Sequence, residues 1–264
     1  MGVEKSRAIA VGSRPIGEAD KLVTFYTREF GKLTGVAKGA RRGRSKFGSA
    51  LELFTYGQLV FFERANAELV SIDHFDIIRP FQPIREDLRR LGRGAWIVEC
   101  LGRFSMDRDP SPALFGLLLR ALHALETIGE GERVTLCFLL RALDLTGHRP
   151  RLDRCLSCGG LPARPLRFDA AAGGLLCGKC AERGRGALPI SLDAVSGLRR
   201  LRNLRWDERL VAGFPQPVER EMLAIMEGYL AALIGRAPRV DRFLDQMEGH
   251  RNTPEPAEAR SWNA

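Results

Sequence analysis

The chain has 264 residues, 45% of them hydrophobic and 28% charged, with a formal charge of +9 and a pI near 9.7. These values suit a globular protein of two ordinary domains and exclude a largely disordered chain. No uninterrupted apolar run reaches the roughly 18 residues a membrane span requires, and the basic excess is spread along the chain, so an anionic partner has to meet a local patch.

The opening MGVEKSRAIAVG lacks a long apolar core, so no secretory signal is expected. Its Gly2 and Ser6 satisfy a loose myristoylation pattern that is common by chance. Residues 1–80 then read as a β domain. SRAIAVGSR, LVTFYTREF, GKLTGVAKG, GQLVFFERA and AELVSIDHF are rich in β-branched and aromatic residues, with Gly and charged punctuation between them. Five short strands in about 80 residues predict a small closed barrel, either an OB-fold or an SH3-like barrel.

Between the third and fourth of these segments lies KGARRGRSKFG, with Lys38, Arg41, Arg42, Arg44 and Lys46. No acid occurs from Glu29 to Glu52, so nothing nearby in sequence neutralises them. Gly39, Gly43 and Gly48 make the segment a loop. A cationic loop on a barrel suits the phosphates of a nucleic acid, with a solvated charge run as the alternative. Phe25, Tyr26, Phe30 and Phe47 are the aromatics near it; most are expected in the barrel core, and Phe47 is the candidate for base stacking.

Helical spacing takes over after Arg79-Pro80-Phe81. Residues 83–104 predict one helix, with Leu88, Leu91, Ala95, Val98 and Leu101 as its apolar face. Ser111 caps the next helix, with Pro112 in its first turn. A third runs from Glu132 to a Gly147 stop. Residues 191–206 and 216–235 are also helical. Val218, Met222, Ile225, Met226, Tyr229, Leu233 and Ile234 form one stripe, read as core. Cys100 and Cys137 are read as core too. Arg85, Arg89, Arg90 and Arg93, and later Arg199, Arg202, Arg205 and Arg209, form basic stripes. The plain reading of both is a solvated helix face; the other is contact with DNA or an acidic partner. The expected division is 1–80, a helical domain of 81–150 and 188–248, an insertion at 151–187, and a disordered polar tail at 249–264.

The insertion carries Cys155-Leu156-Ser157-Cys158 and, eighteen residues on, Cys177-Gly178-Lys179-Cys180. Two such hooks fit one tetrahedral zinc ion held by four thiolates, a closed and therefore structural site. With no secretory signal, disulfides are improbable and a reducing compartment is expected. The near P-loop at Gly173–Cys180 lacks its Ser or Thr and shares two positions with the hooks, so nucleotide binding there is rejected. His148 is read as an ordinary polar residue. No catalytic constellation appears, so an enzyme is not expected.

Three runs resemble the opening of the bacterial RecO recombination-mediator proteins: Val11-Gly12-Ser13-Arg14-Pro15-Ile16-Gly17-Glu18-Ala19-Asp20-Lys21-Leu22-Val23, then Thr27-Arg28-Glu29-Phe30-Gly31-Lys32, then Ala37-Lys38-Gly39-Ala40-Arg41-Arg42. Cys155-x-x-Cys158-Gly159, Gly173-Gly174 and Cys177-x-x-Cys180 are similar to the family's zinc module, which some relatives lack. The resemblance covers the chain to about residue 247. It implies an α+β multidomain protein: an N-terminal five-stranded OB-fold β-barrel and a C-terminal α-helical domain with a four-cysteine zinc-binding insertion.

By the same resemblance the protein binds single- and double-stranded DNA and anneals complementary strands without ATP. It acts with RecR and helps load RecA onto strands coated with single-strand-binding protein, whose C-terminal tail it binds. A cytoplasmic, nucleoid-associated location goes with that role. The family's DNA-contacting loop falls on Lys38, Arg41, Arg42, Arg44 and Lys46, and Arg14 is placed with them. The competing reading of the residues is a zinc-ribbon transcription or RNA-binding factor.

Overall fold

The computed structural model describes residues 2–63, 68–129, 131–181 and 186–235. The expected tail at 249–264 lies outside them. Five strands form in the first part: β1 Gly2–Ile16, β2 Asp20–Thr27, β3 Gly31–Ala37, β4 Tyr56–Glu63 and β5 Val70–Arg79. They close a barrel in the order β1-β2-β3-β5-β4, with β4 returning to β1. All pairings are antiparallel except β3 with β5, which is parallel and short. This five-stranded order is that of the OB-fold rather than an SH3-like barrel.

Alternation selects what fills the barrel. Ala8, Ala10, Val23, Phe25, Leu33, Leu59, Phe61, Ile72 and Phe75 point inward. The β3–β4 loop adds Phe47, Ala50 and Leu51 to the same cluster, so part of that loop is a plug. Phe47 is 5% exposed. The expectation that it stacks on bases is therefore corrected: its ring is committed to the core. Phe25 and Tyr26 are buried as well, and Phe30 packs edge-on against Phe61.

Eight helices follow among the described residues: α1 Gln82–Glu86, α2 Leu88–Phe104, α3 Pro112–Thr127, α4 Gly131–Leu145, α5 Gly178–Ala181, α6 Leu192–Asn203, α7 Trp206–Val211 and α8 Gln216–Ile234. The single helix predicted over 83–104 is broken. Asp87 is extended, and its carboxylate accepts from the N–H groups of Arg89 and Arg90 at 2.9 Å each. Capping the new helix there outweighs continuing the old one. The predicted apolar face is also offset. Leu88 is exposed, whereas Gly92, Trp96, Ile97, Cys100 and Leu101 are buried.

Ser111 caps α3 as predicted, and Gly147 follows α4 in the left-handed conformation. The helix predicted over 191–206 stops at Asn203, and α7 restarts at Trp206. α4 is the central helix, packed by α2, α3, α7 and α8. The core cluster around it takes in Ile9, Tyr26, Phe54 and Phe81. Tyr26 stacks on Phe115 of α3, and Gly94 of α2 leaves room for the Phe54 ring. The barrel is thus seated on the helices by its outer face.

The segment from Arg151 to Leu188, whose sequence shows no periodicity, forms three short strands. β6 Arg167–Asp169 lies between β7 Gly174–Leu176 and β8 Leu188–Pro189. Phe168 meets Tyr229 of α8 edge to face at 5.7 Å and ties this sheet to the helices.

Candidate metal centre and nucleic-acid interface

The first hook follows an extended stretch, and the second spans the end of β7 and α5. Backbone bonds Leu156 N–H to Leu175 O, and Leu175 N–H to Arg151 O, lay the first hook along β7. The sulfurs of Cys155, Cys158, Cys177 and Cys180 consequently lie within 4.8 Å of one another, with Cys158 and Cys177 at 3.9 Å. A tetrahedral ion with arms near 2.3 Å places its sulfurs about 3.8 Å apart. The donor set and its size therefore fit a thiophilic cation. Cys155, Cys177 and Cys180 are buried and Cys158 is exposed.

The protonation states point the same way. Burial disfavours a thiolate at Cys155, but backbone N–H groups of Cys158, Cys177 and Ser157 outweigh it and hold its pKa down at about 6. The Cys177 N–H lies 3.4 Å from that sulfur. At Cys180 the Ser157 hydroxyl favours the thiolate, but the sulfurs of Cys177, Cys158 and Cys155, with burial, push the pKa up to about 11. The cluster accepts one negative charge readily and resists the last. A divalent cation would supply the missing countercharge. The hydrophobic cluster around the site is small: the buried cysteines, Leu176, Ala187 and a half-buried Leu156. The rest of the segment is anchored elsewhere: Leu152, Leu166, Phe168 and Leu175 are buried in the helical core, so a metal tie would act on the hooks themselves.

The other cysteines differ in kind. Cys100 and Cys137 are fully buried on helix faces, as read. Burial pushes the Cys137 thiol up to about 12, which keeps it a neutral core residue. His148 is exposed at the end of α4, and its Nδ1 lies 3.2 Å from Thr146 Oγ1.

The cationic loop stands at one end of the barrel. Lys38, Arg41, Arg42, Arg44, Lys46 and Arg14 are all exposed. Arg41 is anchored: its backbone N–H reaches Ala19 O, and its guanidinium donates to Gly17 O and Glu18 O at 3.1 Å each. Gly39 N–H donates to Asp20 at 2.8 Å. These bonds pin the loop to the β1–β2 turn, so it is ordered at its base. Lys46 pairs with Asp73 at 3.3 Å and lies over the Phe47 ring. Lys38, Arg42, Arg44 and Arg14 make no ion pair among the described residues. The loop therefore presents cations that water alone solvates.

Both helical arginine stripes depart from the plain reading of a solvated face. Arg85 donates to Leu53 O and Pro80 O, Arg90 donates to Glu126 O, and Arg93 is buried. Arg209 is buried and donates to Leu204 O and Arg202 O, while Arg199 holds Leu152 O. Arg133, which no periodicity singled out, is 5% exposed and forms a two-pronged pair with Glu219 at 2.5 and 2.6 Å. A helical pattern shows which side a residue is on, not whether another element covers it.

Family models match both parts of the chain: "Recombination protein O N terminal" over residues 1–81 and "Recombination protein O C terminal" over 85–242. The DNA repair protein RecO of Myxococcus xanthus is 35% identical over 91% of this chain and 96% of its own. That of Anaeromyxobacter dehalogenans is 34% identical over 88% and 91%. The RecO of Halalkalibacterium halodurans is 28% identical over 92% and 95%. With an OB barrel, a helical region and a four-cysteine cluster in one collinear match, the chain belongs to the RecO family of DNA repair and recombination proteins.

Proposed function

We propose that this protein is a mediator of recombinational DNA repair that binds single- and double-stranded DNA, anneals complementary strands without ATP, and is not an enzyme. The observation that carries the reading is the β3–β4 loop. Lys38, Arg41, Arg42, Arg44 and Lys46 stand exposed on an OB barrel, ordered at the base, and of the five only Lys46 meets a carboxylate among the described residues. Arg14 on β1 completes the set. Phosphates of a strand are held by these cations, and the counterions they displace supply the affinity. Two complementary strands repel each other; a cationic platform lowers that repulsion and speeds pairing.

One structural zinc ion belongs to this reading, held by Cys155, Cys158, Cys177 and Cys180. It fixes the segment 151–187 and leaves no open coordination position. So do RecR, the C-terminal tail of single-strand-binding protein and a functional link to RecA, with action in the cytoplasm at the nucleoid. The division at 1–80, 81–150 with 188–248, and 151–187 is part of the same proposal. No helix among the described residues is long and apolar enough to cross a membrane.

The test is annealing of two dye-labelled complementary oligonucleotides without nucleotide or magnesium, across a salt series. Acceleration that fades steeply with salt is the expected result. Sequence-selective binding with no acceleration, by zinc-loaded folded protein, replaces the mediator with a zinc-ribbon transcription or RNA-binding factor.

A further inference from the structure

A second cationic site lies far along the chain from the barrel loop. Residues 149–153 alternate strictly: Arg149, Arg151 and Asp153 are exposed, while Pro150 and Leu152 are buried. An extended segment places alternate side chains on one face about 6–7 Å apart. Arg149 and Arg151 thus form a short regular row of guanidinium groups. Arg154 and, from α6, Arg202 complete a rim around a cleft of about 570 Å³ floored by Leu156 and the first cysteine hook.

The acids near this rim are already engaged. Asp144 is held by Arg149 at 2.6 Å and approached by Arg141. Asp153 is held by Arg202 at 3.0 Å and by Arg199 at 3.5 Å. Arg151 and Arg154 have no carboxylate partner among the described residues. The Arg151 backbone is fixed in advance: its N–H donates to Gly173 O at 2.8 Å, and its carbonyl accepts from Leu175. Arg154 donates one nitrogen to Gly159 O at 3.1 Å, which orients its planar fork. Little order has to be gained on binding. Arg149 is committed to Asp144, so the cleft offers Arg151 and Arg154, exposed guanidinium groups without a carboxylate partner, and these suit the phosphates of a polyanion. No aromatic ring lines the cleft, so it grips backbone rather than reads bases.

We infer that the cleft between the first cysteine hook and α6 is a second nucleic-acid site, in which Arg151 and Arg154 hold the phosphates of a strand other than the one on the barrel loop. The inference rests on the DNA-binding reading above and deepens it. Annealing needs two strands on one platform, and a single loop of five cations offers one grip. It also gives the thiolate cluster a second consequence, because Cys155 lines the cleft. Locking the hook locks the rim.

The test uses the full chain with one metal ion bound, and halogenated-uridine oligonucleotides for photo-crosslinking. Crosslinks are expected both in residues 38–46 and in residues 149–156. Arg151→Glu with Arg154→Glu should abolish the second set and keep the first. It should slow annealing at least tenfold and lower the single-strand salt slope by about 1.4, the share of two phosphates. Arg151→Gln alone, whose side chain carries no structural bond, serves if the double variant does not fold or loses its metal. Crosslinks confined to the loop, with slope and annealing unchanged in either variant, overturn the cleft and leave the mediator reading intact. Loss of poly-glutamate retention with DNA behaviour unchanged also overturns it, in favour of an acidic protein partner. If the unaltered protein neither binds nor anneals, the mediator reading itself has failed, and the cleft with it.

Discussion

Arg133 carries more of the architecture than any single apolar contact beside it. Its guanidinium is sealed among α4, α7 and α8, with Glu219 on one edge and the carbonyls of Arg209 and Ala212 on the other. Phe214 covers one face at 5.2 Å. A buried pair is expensive to form but far more expensive to break, since the survivor stays buried and charged. Arg133→Met should therefore destabilise the protein by about 3–5 kcal/mol in urea denaturation. Tyr26 behaves in the opposite sense. Its hydroxyl is buried with no hydrogen bond of normal geometry, and the nearby Ser105 hydroxyl spends its own proton on Leu101 O. Burial first, and Asp109 second, push its pKa up to about 12, with Ser105 easing the shift slightly. The unfolded chain ionises near pH 10 while the folded one stays neutral. Stability from this residue is thus complete below about pH 10 and is lost as pH rises towards 12. Tyr26→Phe should match or exceed the parent by about 1 kcal/mol at neutral pH and should lose stability less steeply in alkaline titrations of the melting temperature.

At the scale of elements, the segment that carries the thiolate hooks has only a small core of its own. Three strands of two or three residues each cannot stand alone. Leu152, Leu166, Phe168 and Leu175 anchor the segment in the helical core, and the four sulfurs are spaced to accept a cation that would hold the hooks. Chelation should loosen residues 151–181 first, seen as faster amide exchange there, while α4 keeps its protection. Lower pH should act in the same direction, because protons compete with the metal for thiolates. Cys158→Ser removes the exposed ligand and should lower metal retention without disturbing the helical core. Equal exchange with and without chelator would count against a metal tie.

At the scale of the whole molecule, the barrel and helices share apolar surface. Ile9, Tyr26, Phe54 and Phe81 belong to the helical core cluster, not to the barrel interior. The loop at Asp107–Asp109 fastens the other side, with Lys32 paired to Asp107 at 3.0 Å and Arg108 N–H bonded to Lys32 O. Gly31, at φ +65, leaves Asp109 the space it needs. The cationic residues of the β3–β4 loop stay exposed in this mounting, while Leu53 and Phe54 at the loop's end meet α1 and α2. Changing Lys38, Arg41, Arg42 and Arg44 together to Ala should leave the barrel and helical cores intact and lower the melting temperature only by what the Arg41 bonds to Gly17 O and Glu18 O contribute. It should flatten the single-strand salt slope by about 2–3. An unchanged slope would move the DNA contact away from the loop.

Local chemistry in the sequence determined the barrel strands, the α3 cap, the Gly147 stop, the hydrophobic stripe of α8 and the pairing of the two cysteine hooks. Each is set by residues near one another in the chain, through alternation, capping or ligand spacing. The tertiary structure decided which cations are available. Arg85, Arg90, Arg93 and Arg133 read as ordinary basic residues, yet they bind carbonyls or carboxylates brought in from other segments. Phe47 reads as a loop aromatic, yet it plugs the barrel. The row at Arg149 and Arg151 had no sequence signature, because its exposure depends on β7 pairing with one side of the segment while α6 neutralises Asp153 on the other. Desolvation by a remote element is invisible to a pattern, and it separates a structural arginine from one that can meet a phosphate.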